Sequence, residues 1–436
     1  MHTLEQLKRG ELTGITRLDL AAGLREFPEE IFALADTLEV LNLSGNQLSQ
    51  LPADLSRLRR LRILFCSDNA FTRVPECLGD CSQLEMVGFK ANRIAHLPAA
   101  ALPPALRWLI LTDNLLPSIP AELGECTRLQ KLMLAGNKLR SLPEQLAACR
   151  ALELLRIAAN HFEALPEWLL RMPRLAWLAF AGNPFSDAQQ VRALGEHPLP
   201  AVARERLELH EVLGQGASGV IHRASWNAPH GAQPMAVKLF KGNLTSDGLP
   251  QSEMAACVAA GTHPNLIEVI GPLTVQYGSA NGLLMELVPP TFQPLAGPPS
   301  LASCTRDCYA PERQFSIDQL LRIARGAASA VTHLHARGIL HGDFYAHNLL
   351  VEASGECLLS DFGAASFFQA GSPTGHALQR IEVRAFGHLI EELLQRCATE
   401  QDPRLGPLIR LQQECVLEDS SARPSFAALA ARLADI

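Results

Sequence analysis

The sequence predicts two folds in tandem: an α/β solenoid of stacked repeats over residues 1–190, then an α+β domain over 207–436, with a cap and linker at 191–206 between them. Three observations predict this. A leucine and asparagine pattern recurs about every 23 residues and then stops. A glycine-rich turn between strand-like runs opens the second half. Beyond it, single polar residues stand at wide intervals between apolar runs, which a core alone does not require.

Written one repeat to a line, the first half aligns itself. "LEVLNLSGNQLSQLP" starts at Leu38, "LRILFCSDNAFTRVP" at Leu61 and "LEMVGFKANRIAHLP" at Leu84, with further copies from Leu106, Leu129 and Leu152. A degenerate unit precedes them and a truncated "LAWLAFAGNPF" closes the series, giving about eight repeats. Asn46, Asn69, Asn92, Asn114, Asn137, Asn160 and Asn183 share one slot, 23 residues apart except for one step of 22. No unit can bury its leucines alone, so neighbours must stack. The x-L-x-L-x segment is a short strand whose leucines alternate inward. The asparagines are structural, bonding the backbone where the chain leaves the strand. The pattern L-x-x-L-x-L-x-x-N-x-L resembles the leucine-rich repeat family.

The outward strand positions form a concave face with many large apolar side chains: Val40, Ile63, Phe65, Met86, Trp108, Ile110, Met133, Leu154 and Trp177. A contiguous apolar stripe marks an interaction site. The expectation is a protein partner on this face, contacting Phe65, Trp108, Met133 and Trp177, with the two tryptophans as anchors. The alternative is that the chain's own second half covers the stripe.

In the second half, "EVLGQGASGVIHRASW" places Gly214, Gly216 and Gly219 in G-x-G-x-x-G, followed by strand-like residues including Val220. Alone this is weak, because dinucleotide-binding folds share it. Nineteen residues after Gly219, however, "MAVKLF" carries Ala236 and Lys238. Only six of the 38 basic residues are lysines, so a lysine in this slot is informative. Glu253 follows in a helical segment, and "LLMELVP" supplies Met285, Glu286 and Val288 on a strand into a hinge. A proline-rich stretch, roughly 289–312, reads as an inserted mobile loop. A long amphipathic helix then delivers "ILHGDFYAHNLL", and "LLSDFGAAS" puts Asp361 eighteen residues after Asp343.

These motifs, in this order, resemble the protein kinase family over residues 207–436, which implies a two-lobed, protein-kinase-like domain with ATP and Mg2+ as cofactors. By that resemblance the glycine loop covers the phosphates, Lys238 holds the α- and β-phosphates, and Glu253 holds Lys238. Gly214, Gly216, Gly219, Val220, Ala236, Met285, Glu286 and Val288 form the nucleotide pocket. Asn348 and Asp361 bind the metal, and Asp343 takes the proton of the attacking hydroxyl. His347 stands as a candidate positive charge near the γ-phosphate, a role a neutral imidazole fills poorly.

The pattern departs from the family in places. Gly342 replaces the usual arginine, so phosphorylation of the following segment is not the expected switch. Tyr345 stands where a lysine is common. Only 21 residues separate Asp361 from Glu382, placed at the start of a central helix, and the A-P-E motif is absent. Arg423, in "SARPSF", is thereby expected to lack its carboxylate partner. Ser366, Ser372 and Thr374 are read as ordinary loop residues rather than phosphate acceptors. The H-G-D spelling also occurs in small-molecule phosphotransferases such as aminoglycoside and choline kinases.

Composition narrows the class. The chain of 436 residues is 47% hydrophobic with a net charge of -7, arguing against nucleic acid or an anionic membrane as partner. No apolar run suits a signal peptide or a membrane span. Eleven irregularly spaced cysteines suggest free thiols and a cytoplasmic protein. The sequence therefore points to an ATP-dependent protein kinase, Ser/Thr in class, whose substrates the repeats recruit. A nucleotide-binding pseudokinase scaffold and a small-molecule phosphotransferase remain as alternatives. Oligomeric state is not legible.

Overall fold

A computed structural model describes residues 2–196, 199–216, 218–228, 231–242, 244–245, 247–274, 282–399 and 401–436. The chain folds as two compact units, Met1–Met172 and Pro173–Ile436.

The first unit opens with α1 (Leu4–Lys8), started by a capping box between Thr3 and Gln6. Its strands are β1 (Arg17–Asp19), β2 (Val40–Asn42), β3 (Ile63–Phe65), β4 (Met86–Gly88), β5 (Trp108–Ile110), β6 (Lys131–Met133) and β7 (Leu154–Arg156). They stack in sequence order as a parallel sheet, with Leu41, Leu64, Val87, Leu109 and Leu132 in one register row. All five are buried, as alternation requires. The asparagine slot behaves as the sequence predicts. Asn137 donates from Nδ2 to Leu111 O (2.9 Å) and Leu134 O (3.0 Å), and its Oδ1 accepts from Leu116 N (3.0 Å). Asn137 thus pairs backbone groups of neighbouring turns, and it shares the Leu111 and Leu134 carbonyls with Asn114 and Asn160. On the opposite edge, prolines lead into short 3₁₀ turns that bury one leucine each, such as Leu78, Leu123 and Leu146.

The outward face is graded. Val40, Ile63, Phe65, Trp108 and Ile110 are half-buried, whereas Met86, Met133 and Leu154 are buried. Gly88 makes room for the ring of Phe65: a Cβ there would lie 2.6 Å from it.

The second unit begins with the closing repeat strand, β8 (Trp177–Ala179), which the sequence pattern places in residues 1–190. Then come α2 (Pro184–Glu196) and β9 (Val202–Ala203). A small lobe follows, with β10 (Leu207–Gln215), β11 (Gly219–Ala228), β12 (Gly231–Phe240), α3 (Pro250–Ala260), β13 (Val269–Thr274) and β14 (Gly282–Glu286). Its sheet runs β10-β11-β12-β14-β13-β9, so the linker strand β9 joins it, parallel to β13. The large lobe is helical: α4 (Ile317–Ala336), α5 (Pro373–Leu394), α6 (Leu405–Cys415) and α7 (Phe426–Asp435). Ser316 and Gln319 cap α4.

The proline-rich segment is not the free loop the sequence suggests. β15 (Gln293–Pro294) pairs with the strand Leu349–Val351, Gly297 pairs with Cys308, and Cys304 and Asp307 are buried. Its apolar and acidic side chains have partners that lie far along the chain, which a local composition reading cannot see. All eleven cysteines are free thiols. Among the described residues, no helix is long and apolar enough to cross a membrane, and no cluster of three or more His, Cys, Asp or Glu side chains suits a metal ion.

Candidate active site

The turn between β10 and β11 closes one side of a cavity of about 440 Å³. A Cβ on Gly219 would lie 2.5 Å from Leu239 O, so only glycine lets β11 approach β12 there. The antiparallel register sets Ile221 opposite Lys238, and both line the cavity. Of the sequence-predicted residues, Gly214, Gly216, Gly219, Lys238, Glu253, Met285, His347, Asn348 and Asp361 line it as well. Val220 does not: it is one residue out of phase, and Ile221 takes its expected place. Ala236 is buried one pleat repeat before Lys238, Val288 is half-buried and Glu286 is exposed, and none of the three lines the cavity.

Lys238 Nζ bonds Glu253 Oε1, and the pair is buried. Burial opposes charge on Lys238, but Glu253 and then Asp361 more than offset it, holding the ammonium above the ordinary lysine range. Burial also pushes the Glu253 carboxyl up, against the pull of Lys238. Glu253 reaches this position because α3 presents it toward β12.

The catalytic-loop segment "HGDFYAHN" lies below, fixed from several sides. Glu382 accepts from Gly342 N (2.7 Å) and lies 2.7 Å from His335 Nε2. Burial would raise its pKa, yet these contacts hold it below the usual carboxylate range. Glu382 sits nine residues inside α5 rather than at its start, because the helix begins at Pro373. Asn348 Nδ2 donates to Asp343 O (2.8 Å) and Asp343 Oδ2 (2.9 Å), which fixes the acid's rotamer. Asp343 itself is half-buried and does not line the cavity. Asp361 has φ +54 and accepts from Gly363 N (3.1 Å). Its carboxylate is exposed at the cavity mouth, and the Asn348 amide oxygen is the second hard donor. Two oxygen donors beside a space for phosphate fit Mg2+, which prefers few protein ligands and completes its shell with substrate oxygens and water.

Sequence reasoning missed Asp307, whose side chain is fully enclosed. It accepts from His347 N (3.0 Å) and lies 2.7 Å from His347 Nδ1. Burial lowers the His347 pKa, but Asp307, Asp343 and Asp361 together raise it above the ordinary histidine value. The other ring nitrogen lies 4.0 Å from Asp343 Oδ2. Nothing local marks Asp307 in the sequence, since it belongs to a segment without periodicity.

Trp177 is also not where the concave-face reading puts it. It is 1% exposed, stacks on Tyr345 with ring centroids 4.1 Å apart, and donates from Nε1 to Phe344 O (2.9 Å). A side chain so enclosed is not an anchor for another protein. Met133 is buried too, accepting the Trp108 indole N–H at 3.4 Å. Ser366 is fully buried. Arg423 donates to the carbonyls of Leu417, Arg380 and Pro173, and no carboxylate pairs with it among the described residues.

Residues 207–384 match the model of the protein tyrosine and serine/threonine kinase family, and residues 37–58 and 104–162 match leucine-rich repeat models. The chain joins leucine-rich repeats to a protein kinase domain. The chain is similar to fibroblast growth factor receptor 1 of Xenopus laevis, 28% identical over 200 residues. That match covers 41% of this chain and 24% of the receptor, so the chain spans about a quarter of that relative's length.

Proposed function

We propose that this protein transfers the γ-phosphate of ATP to a Ser or Thr hydroxyl of a protein substrate that its repeats recruit. One observation supports the reading: the buried Lys238–Glu253 pair, Asp361 and Asn348 line one cavity, and Asn348 bonds Asp343 beside it. Phosphoryl transfer is mostly positioning and charge neutralisation, so this set suffices. Lys238 binds the α- and β-phosphates while Glu253 keeps its ammonium in place. Asn348 and Asp361 hold Mg2+, which screens the phosphate charge when bound. Asp343 orients the acceptor hydroxyl and takes its proton. His347, oriented by Asp307, lies 4.0 Å from the same carboxylate and is the proposed further contact near the transferred group. Phe65 and Trp108, half-buried on the repeat strands, are the proposed contacts to the protein substrate. Recruitment in the same chain raises the effective substrate concentration.

The test is labelled phosphate from ATP and magnesium, with wild type beside Asp343→Asn. Loss of the base should cost about 10²–10⁴-fold in rate. Phosphoamino-acid analysis then sets the acceptor class. A second reading, transfer to a small-molecule hydroxyl, draws on the short path from Asp361 into α5 at Pro373, which omits a peptide shelf. ATP turnover without phosphoprotein would select it.

A further inference from the structure

The closing repeat strand and its helix form one continuous segment, 177–196, that contacts three parts of the proposed site. Trp177 stacks on Tyr345 and bonds Phe344 O, both inside the catalytic loop. Phe180 N and Ala181 N donate to Ser366 Oγ at 2.9 and 3.1 Å, five residues beyond Asp361. Helix α2 packs on α3, the helix that carries Glu253. Gly342 completes the arrangement. With φ +74, a Cβ there would lie 2.5 Å from Ala364 O and 2.8 Å from Leu178 O. The strand thus occupies the space an arginine side chain would need.

The catalytic loop, the segment after Asp361 and the Lys238–Glu253 pair are the parts that phosphorylation-driven ordering controls in protein kinases. We propose that segment 177–196, with Trp177 as its central positioning residue, holds these three parts in working register permanently, so that catalysis needs no phosphorylation of the segment 364–372. This rests on the phosphotransferase reading above. The Trp177 and Ser366 contacts are buried and short, and neither involves an exposed hydroxyl that a kinase could modify: Ser366 is enclosed and already accepts two N–H groups.

The experiment uses the full chain and three variants: Trp177→Ala, Trp177→Phe and Ser366→Ala. ATP turnover and hydrogen exchange over residues 341–349 and 361–367 are read in each. Misplacing a reacting group by about 1 Å costs about a hundredfold, so kcat should fall by that order in Trp177→Ala with the ATP KM within about threefold of wild type. Trp177→Phe keeps ring stacking and loses only the N–H bond, so it should recover part of kcat. Exchange of the loop amides should quicken about tenfold in Trp177→Ala. Phosphatase treatment should leave wild-type kcat unchanged. Wild-type kcat and exchange in folded Trp177→Phe and Ser366→Ala, or a kcat that phosphatase abolishes, would overturn the proposal. If wild type and Asp343→Asn are equally inactive, the phosphotransferase reading fails, and the exchange data alone decide whether 177–196 positions the loop.

Discussion

Trp108 and Trp177 occupy the same slot of two repeats three units apart, and they live in different surroundings. Trp108 is half-buried, with its N–H on Met133 and the Lys131 ammonium 4.4 Å from its ring. Trp177 is enclosed between Tyr345 and His388, with its N–H on a catalytic-loop carbonyl. The repeat pattern dictates that each begins a strand and points outward from the leucine row. It does not dictate what the side chain then meets. One tryptophan stays half-buried on the repeat face, and the other is enclosed against the segment 341–348.

The sharpest way to break this contrast is Gly342→Arg, which restores the commoner catalytic-loop residue. Its Cβ would strike two backbone oxygens at a positive φ, so we expect a loss of more than about 4 kcal/mol in urea unfolding together with lost phosphate transfer. A stable, active variant would mean that β8 does not confine the loop. Next is the pair itself. Trp177→Ala should cost about 3–5 kcal/mol, whereas Trp108→Ala should cost only about 1 kcal/mol and should instead weaken capture of the protein substrate. Equal losses would erase the distinction. Asn137→Ala probes what the repeats share: it takes the acceptor from the Leu116 N–H, while Leu111 O and Leu134 O keep Asn114 and Asn160, and should lower stability by roughly 2 kcal/mol, with phosphate transfer at its wild-type rate once folded.

The smallest effect concerns pH, and it distinguishes the Trp177 side from the Trp108 side. Arg306 lies over Trp177, and near it Glu392 accepts from Tyr309. Burial and the neighbouring Asp307 push the Glu392 carboxyl up to about 7. A carboxyl raised in the folded state binds more protons than it does unfolded, so stability falls as pH climbs from its unfolded value toward about 7. Glu392→Gln should remove that fall and gain on the order of 1 kcal/mol at pH 8, read as a flattened Tm–pH curve. An unchanged curve would place the carboxyl in its ordinary range.

Much of the repeat unit is legible because each buried group meets its partner at a fixed offset. Asn137 needs only the turns one repeat away, and the period states where they are. The kinase motifs are legible for the opposite reason: Lys238, Glu253, Asp343, Asn348 and Asp361 are polar where a core gains nothing from polarity. Val220 in place of Ile221 is a phase error of one, which the pleat resolves only when the partner strand is known. Asp307 and the true setting of Trp177 depend on contacts 40 and 167 residues away, without any periodic signal to join them. Composition likewise misjudges the proline-rich segment, since proline limits the chain locally but does not say whether distant strands will pin it.

The bond from the Trp177 indole to Phe344 spans 167 residues. A ribosome adding about 5–20 residues per second takes roughly 10–30 s to cover that distance. During that interval the nascent chain carries an apolar ring whose acceptor and stacking partner do not yet exist. The same long-range contact that steadies the finished site therefore makes the half-made protein a natural client for chaperones.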